Sequence, residues 1–194
     1  MKTGTHIVRL VLLSALLLAC GGEDPADEDV SLDTAPREGY PDGPYGTEEG
    51  SVIANLSFTD SEGATLSFQD LYANPQHRLL LLSTAAGWCS ACIEEQPSLQ
   101  ERYLQHRAAG LQVMVAFFEN ADYAPASVED AASWKSRHKV GFHVVADGEF
   151  QMGAYYDRNL TPLNMLIDVS NMTILWSGTG WDPTTVDAII ANKL

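Results

Sequence analysis

The chain has 194 residues, of which 26 are acidic and 11 are basic, and its formal net charge is −15. This charge excludes electrostatic binding to nucleic acid, and anionic membrane surfaces should repel the chain. Apolar residues make up 45% of the sequence, which is enough for a hydrophobic core of ordinary size, so we expect a globular domain.

The N-terminal segment has the pattern of a secretory signal peptide. Lys2 and Arg9 precede the apolar run 10–19, which is too short to span a hydrocarbon core that needs about 20 apolar residues. The run ends in Leu-Ala-Cys-Gly at 18–21, which resembles the lipobox of bacterial lipoproteins. This resemblance implies that residues 1–19 are removed and that Cys20 receives a lipid. An ordinary secretory signal that happens to end in a cysteine is the alternative.

Residues 21–50 are acidic, rich in proline and glycine, and poor in aliphatic side chains. Such a segment buries too little apolar surface to offset the entropy of ordering, so we predict a flexible tether over 20–50. The lipid would hold the protein in the cell envelope, and Gly21 after the lipidated cysteine favours the outer membrane, facing the periplasm. We expect the folded domain to cover residues 51–194 and to be a monomer.

Hydrophobic periodicity predicts alternating strands and helices in the folded domain. The predicted order is strands at 52–58 (an edge strand) and 65–68, a short helix at 70–72, a buried strand at 79–83, a helix at about 89–108, a strand at 111–118, a helix from Ser127 to about His138, strands near 143–146, 163–168 and 173–177, and a helix from Asp182 to about Asn192. This alternation predicts an α/β fold, with a central mixed sheet flanked by helices on both faces.

The segment Trp88-Cys89-Ser90-Ala91-Cys92 places two thiols one helical turn apart, directly after the predicted buried strand. Cys89 then falls at a helix N-terminus, where unpaired N–H groups and the helix dipole favour a thiolate. We interpret Cys89 as an exposed nucleophile and Cys92 as the thiol that resolves a mixed disulfide. A structural disulfide and half of a metal site are the alternatives, although a zinc site would need two further Cys or His ligands nearby.

Trp88, Cys89, Cys92, Glu95 and Pro97, with Thr161-Pro162 and an apolar strand far downstream, resemble the thioredoxin-like family. The resemblance is closest to the envelope-anchored thiol–disulfide oxidoreductases of the TlpA and ResA kind, which overlap in sequence with the redoxins of the AhpC/TSA superfamily. It covers residues 51–194 and implies a thioredoxin-like fold.

The resemblance also implies roles for individual residues. Pro162 would be a cis proline opposite Cys89, and the Thr161 backbone, together with Trp88, would bind an extended substrate segment. A trans proline at the start of a strand is the alternative. Glu95 would deprotonate Cys92, although a glutamate in the first turns of a helix is more often a solvated residue. Ser83 stands where thioredoxin has a buried aspartate.

Together these residues predict an enzyme that exchanges disulfides with protein partners in the envelope and is returned to its starting state by a separate redox partner. We expect no metal, and no cofactor beyond the redox-active Cys89–Cys92 disulfide. A peroxiredoxin-like peroxidase is one alternative, but residues 83–88 lack the proline of its Pro-x-x-x-Thr-x-x-Cys pocket. A module that binds and delivers Cu(I) through the same two thiols is another.

Overall fold

The computed structural model describes Met1 and residues 35–194. The predicted signal peptide, the predicted lipidation site Cys20 and the first part of the predicted tether therefore lie outside the described residues. Within the described part of the chain, no helix combines the length and the apolar character that a membrane crossing requires.

The folded domain alternates strands and helices in nearly the predicted order. Its elements are β1 Ser57–Asp60, β2 Thr65–Ser67, α1 Phe68–Ala73, β3 Leu79–Ala86, α2 Ser90–His106, β4 Leu111–Glu119, α3 Val128–His138, β5 His143–Ala146, β6 Leu163–Asp168, β7 Thr173–Thr179 and α4 Pro183–Lys193. The strands form one sheet in the order β2-β1-β5-β4-β3-β6-β7. Strand β4 is parallel to β3 and β5, and the other pairs are antiparallel, so the predicted mixed sheet is confirmed.

Strand β3 lies inside the sheet, and all of its residues are buried. Because successive side chains of a strand point to opposite faces, Leu79 and Leu81 enter one core cluster and Leu80 and Leu82 enter the other. Buried residues of α2, α3 and α4 complete the first cluster, and buried residues of α1 complete the second. The predicted covering of both faces by helices is thus confirmed.

The predicted edge strand at 52–58 is wrong in both its start and its position. Strand β1 begins only at Ser57, and it lies between β2 and β5, so that β2 is the edge strand. The reason is that the backbone before it is bonded elsewhere. The Ile53 N–H donates to the Met172 carbonyl and the Ile53 carbonyl accepts from the Tyr40 hydroxyl, which leaves these groups unable to pair with β2 or β5.

The N-terminal segment 35–50 lies against the folded domain, whereas the sequence predicts a tether as far as residue 50. Arg37 donates hydrogen bonds to carbonyls of Tyr72, Asn74, Pro75 and His77, at and after the C-terminal end of α1. These carbonyls include orphan acceptors of a helix end, which a guanidinium satisfies well. Arg37 therefore helps to dock a segment whose composition predicts no fixed structure.

Candidate active site

Cys89 and Cys92 form a disulfide at the first turn of α2, with an S–S distance of 2.08 Å. Cys89 is the N-cap residue of the helix, and the Cys92 N–H donates a hydrogen bond of 3.1 Å to Cys89 Sγ. The predicted location of Cys89 at a helix N-terminus is therefore confirmed. Its predicted exposure is wrong for this disulfide-bonded state, because only 5% of Cys89 and 0% of Cys92 is accessible to solvent.

The turn between β3 and α2 depends on Gly87. Its N–H donates to the Glu119 carbonyl at 2.8 Å, and the Cys89 N–H donates to the Ala86 carbonyl at 3.1 Å. A Cβ atom at Gly87 would lie 2.5 Å from the Ala121 nitrogen, so a side chain here would displace the backbone that follows β4. This tight turn brings Cys89 to the carboxyl end of β3, inside the sheet rather than at its edge.

The Thr161-Pro162 peptide bond is cis, as predicted, and the segment lies against the disulfide. The Thr161 carbonyl oxygen is 4.0 Å from Cys89 Sγ, and Thr161 Oγ1 is 3.8 Å from Cys92 Sγ. The same hydroxyl is 3.3 Å from Thr84 Oγ1 on β3. Residues distant in sequence thus meet at the two sulfurs, and the Thr161 carbonyl helps to explain why Cys89 is so little exposed.

Ser83, Glu95 and Asn164 form a buried polar cluster, and each of these residues is at most 3% exposed. The Glu95 carboxylate accepts a hydrogen bond of 2.5 Å from Ser83 Oγ and one of 2.9 Å from Asn164 Nδ2. Burial raises the pKa of Glu95 from 4.5 to about 7, against the two hydrogen bonds, which lower it. Since Glu95 follows Cys92 by three residues in α2, the two side chains share one face of the helix.

The interpretation of Glu95 as a solvated residue is therefore wrong. Sequence reasoning singled out Ser83 and Glu95 separately, but it missed Asn164, which lies opposite Ser83 in the pairing of β3 with β6. A signal was available, because Asn164 interrupts the apolar run 163–167 at a position that faces the core. Asn164 Nδ2 also donates to the Gly180 carbonyl at 3.0 Å, so both β6 and the turn after β7 position the carboxylate.

Trp88, Glu119, Tyr123 and Arg158 form a rim beside the disulfide. The Trp88 indole N–H donates to Glu119 Oε2 at 2.9 Å, and Arg158 Nη1 donates to Glu119 Oε1 at 2.7 Å. The Tyr123 ring stacks on the Trp88 ring with 5.5 Å between centroids and 18° between planes. Sequence reasoning did not assign Glu119 or Tyr123 to the site, and no motif marks them, because only the packing of β4 brings them to Trp88.

Comparisons with known proteins agree with this architecture. The sequence model of the AhpC/TSA family matches residues 50–174, which is more than half of the chain. No curated protein matches the sequence.

Several solved structures share the fold. The thioredoxin domain of a thiol-disulfide oxidoreductase from Bacteroides vulgatus is 19% identical, with a TM-score of 0.60 over 75% of this chain and 99% of that one. A protein assigned as the thiol:disulfide interchange protein DsbE of Chlorobium tepidum is 21% identical, with a TM-score of 0.60 over 74% and 94%. The peroxidoxin BcpB of Mycobacterium tuberculosis is 13% identical, with a TM-score of 0.60 over 75% and 96%. The predicted thioredoxin-like fold is therefore confirmed.

Proposed function

Because the chain belongs to the AhpC/TSA family, we propose that it is a thiol–disulfide oxidoreductase of the cell envelope whose reacting group is the Cys89–Cys92 pair. The observation that carries the proposal is the location of this disulfide, at a helix N-terminus, against the cis Thr161-Pro162 segment and one helical turn from a buried carboxyl group. A disulfide that only stabilised the fold would need neither the polar cluster nor the Thr161 carbonyl beside it.

In the proposed exchange, the reduced enzyme transfers two electrons to a substrate disulfide in two steps. The Cys89 thiolate attacks a substrate disulfide, forms a mixed disulfide and releases one substrate thiolate. The Cys92 thiolate then attacks Cys89 Sγ, which releases the second substrate thiolate and leaves the Cys89–Cys92 disulfide. Two electrons pass to the substrate, and the reverse sequence oxidises a dithiol. No cofactor is required beyond the disulfide itself.

Glu95 supplies the base for the second step of this mechanism. The buried Cys92 thiol must lose a proton before it can attack, and a carboxyl group with a pKa of about 7 is near the best value for proton transfer at neutral pH. Ser83 and Asn164 hold the carboxylate in place. Thr161 and Trp88 border the nucleophile, where the Thr161 backbone can bind an extended substrate segment.

The partners in this proposal are protein thiols and disulfides of the envelope, together with a redox protein that returns the pair to its starting state. Cys20 would carry the lipid anchor, and the outer membrane facing the periplasm would be its location. The lipobox-like sequence 17–21 supports this part. A Cys20→Ser variant that is secreted but no longer fractionates with membranes would support it, and a variant that stays with the membranes would contradict it.

A redox equilibration tests the proposed chemistry. In every sample Cys20 is replaced by serine, so that only Cys89 and Cys92 titrate, and the oxidised fraction is followed by Trp88 fluorescence in defined glutathione buffers. A reversible transition supports an exchange centre. Its midpoint potential distinguishes a reductase, at about −270 mV, from an oxidase, at about −120 mV. If the pair remains oxidised in all buffers, the disulfide is a structural crosslink and the proposed chemistry is wrong.

Trapping variants assign the two thiols. Cys92→Ser should accumulate a mixed disulfide through Cys89, whereas the matched variant Cys89→Ser should accumulate none, and the opposite pattern would reverse the assignment. Peroxide turnover and Cu(I) titration of the same proteins test the two alternatives. Within residues 35–194, no cluster of three or more His, Cys, Asp or Glu side chains is arranged to hold a metal ion.

A further inference from the structure

We propose that Glu119 is a positioning residue for protein substrates, because it joins the two segments that lead into the site, which we call its two walls. One wall is Trp88, which directly precedes Cys89, and the other is the segment Arg158–Leu160, which leads directly into Thr161-Pro162. The two oxygens of a single carboxylate accept from both walls, at 2.9 Å from Trp88 Nε1 and 2.7 Å from Arg158 Nη1. This inference rests on the proposed function and names a residue that controls substrate recognition.

The carboxylate end of this bridge is buried, whereas its Arg158 end is 48% exposed. The Glu119 side chain is 13% exposed, so its carboxylate is largely removed from water and depends on these two donors. The Arg158 guanidinium also lies over the Phe150 ring, 4.4 Å from its centroid, which restricts its position further. The Glu119 backbone contributes as well, because its carbonyl accepts from the Gly87 N–H in the turn before Trp88.

Tyr123 indicates what the bridge holds in place. This residue is 68% exposed and has a φ of 61°, a left-handed conformation that is unfavourable for a bulky side chain, yet its ring stacks on Trp88. Trp88 is therefore fixed on one side by stacking and at its N–H by Glu119. The result is a rigid aromatic surface beside Cys89, of the kind that binds a polypeptide with little loss of side-chain entropy.

The bridge predicts that polypeptide and small-molecule disulfides depend differently on Glu119. We expect a polypeptide to contact both walls when its disulfide reaches Cys89, whereas a small disulfide needs only access to the sulfur. The Glu119 carboxylate bonds to Trp88 and Arg158 rather than to either sulfur, so the exchange chemistry itself should not change with it.

The test compares the Cys20→Ser protein, kept reduced by excess dithiothreitol, with variants that also carry Glu119→Gln, Glu119→Ala or Arg158→Met. Insulin is the polypeptide disulfide, and oxidised glutathione is the small one. We expect KM for insulin to rise about tenfold in Glu119→Ala and Arg158→Met, with kcat and the rate with glutathione changed less than about twofold. Glu119→Gln keeps an acceptor for Trp88 and should be affected less than Glu119→Ala. Combining Glu119→Ala with Arg158→Met should add little, since both remove the same bridge.

Asp168→Asn is the matched control. Asp168 pairs with Lys193 at 2.8 Å, and its side chain is 15% exposed, a value similar to that of Glu119. It lies beside the start of β3, at the end of that strand farthest from the disulfide. We expect it to leave KM for insulin unchanged. If the parent protein is active, two results would overturn this inference alone. Either the Glu119 and Arg158 variants have the same KM for insulin as the parent, or they lose activity with insulin and glutathione to the same extent. A parent protein that exchanges with neither substrate overturns the proposed function, and the inference falls with it.

Discussion

The buried polar cluster and the rim, the two sides of the candidate site, differ in what they contain. The cluster of Ser83, Glu95 and Asn164 is sealed from water and holds one carboxyl group whose pKa is displaced by burial. The rim presents aromatic faces, and its carboxylate is paired with Arg158. In the proposed function, proton transfer belongs to the cluster and substrate recognition to the rim. Variants of the two groups should therefore show their defects in different assays.

Replacement of the nucleophile should have the largest effect and defines the background of every assay. Cys89→Ser removes the attacking sulfur, so we expect exchange with both insulin and oxidised glutathione to fall by at least about a thousandfold. The exchange rate is measured as the loss of substrate disulfide. Residual exchange through Cys92 at a comparable rate would show that the buried sulfur is directly accessible, and the division into two sides would then be wrong.

The buried cluster should make stability depend on pH. Between the ordinary pKa of 4.5 and about 7, folded Glu95 keeps a proton that the unfolded chain has released, so the free energy of unfolding falls as pH rises through this window. The change amounts to about 3 kcal/mol. It can be measured by urea denaturation of the oxidised protein between pH 4 and 8.

The matched variants for this window are Glu95→Gln and Glu101→Gln. Both glutamates belong to α2, but the Glu101 side chain is 72% exposed. Glu95→Gln should lose most of the pH dependence, and Glu101→Gln should retain it. Equal curves for the two variants would place the titrating group elsewhere.

The same carboxyl group should control the resolving step. Glu95→Gln removes the base that accepts the Cys92 proton, so we expect release of the mixed disulfide to slow by about a hundredfold at pH 7.5. In the parent protein this rate should rise with pH through about 7 and then level off, and the variant should lack that inflection. Stopped-flow fluorescence of a preformed mixed disulfide gives both quantities. A slower initial attack by Cys89, with an unchanged resolving step, would contradict the assigned role.

A smaller effect is expected where the two sides meet, at Thr161. Its hydroxyl is 3.8 Å from Cys92 Sγ and 3.3 Å from Thr84 Oγ1, so it can donate to the thiolate once the disulfide opens. Thr161→Val should therefore disfavour the reduced form by about 1 kcal/mol, roughly a fivefold change in the redox equilibrium. Glutathione titration measures the change. A shift in the opposite direction would show that the hydroxyl stabilises the disulfide-bonded form.

Much of the fold was predictable, because its signals are local. The apolar run 79–82 predicts a buried strand, and Ser127 with Asp130 predicts the capping box that begins α3, which the structure contains. Asp182 and Pro183 begin α4 as expected. The errors occur where partners are remote. Strand β3 continues to Ala86 through the polar pair Ser83-Thr84, because pairing with β4 and burial override local polarity.

The candidate site divides in the same way. The spacing of Cys89 and Cys92 and the dipeptide Thr161-Pro162 are properties of short segments, so the sequence alone predicts the reacting pair and its neighbour. The burial of Glu95, its contact with Asn164 and the bridge through Glu119 arise only when β3, β4 and β6 align at one end of the sheet. Desolvation and hydrogen bonding depend on distances between segments far apart in the chain. The sequence by itself therefore determined which two sulfurs pair, whereas the tertiary structure decided the pKa of Glu95 and the contacts of Glu119, because both depend on segments that only folding brings together.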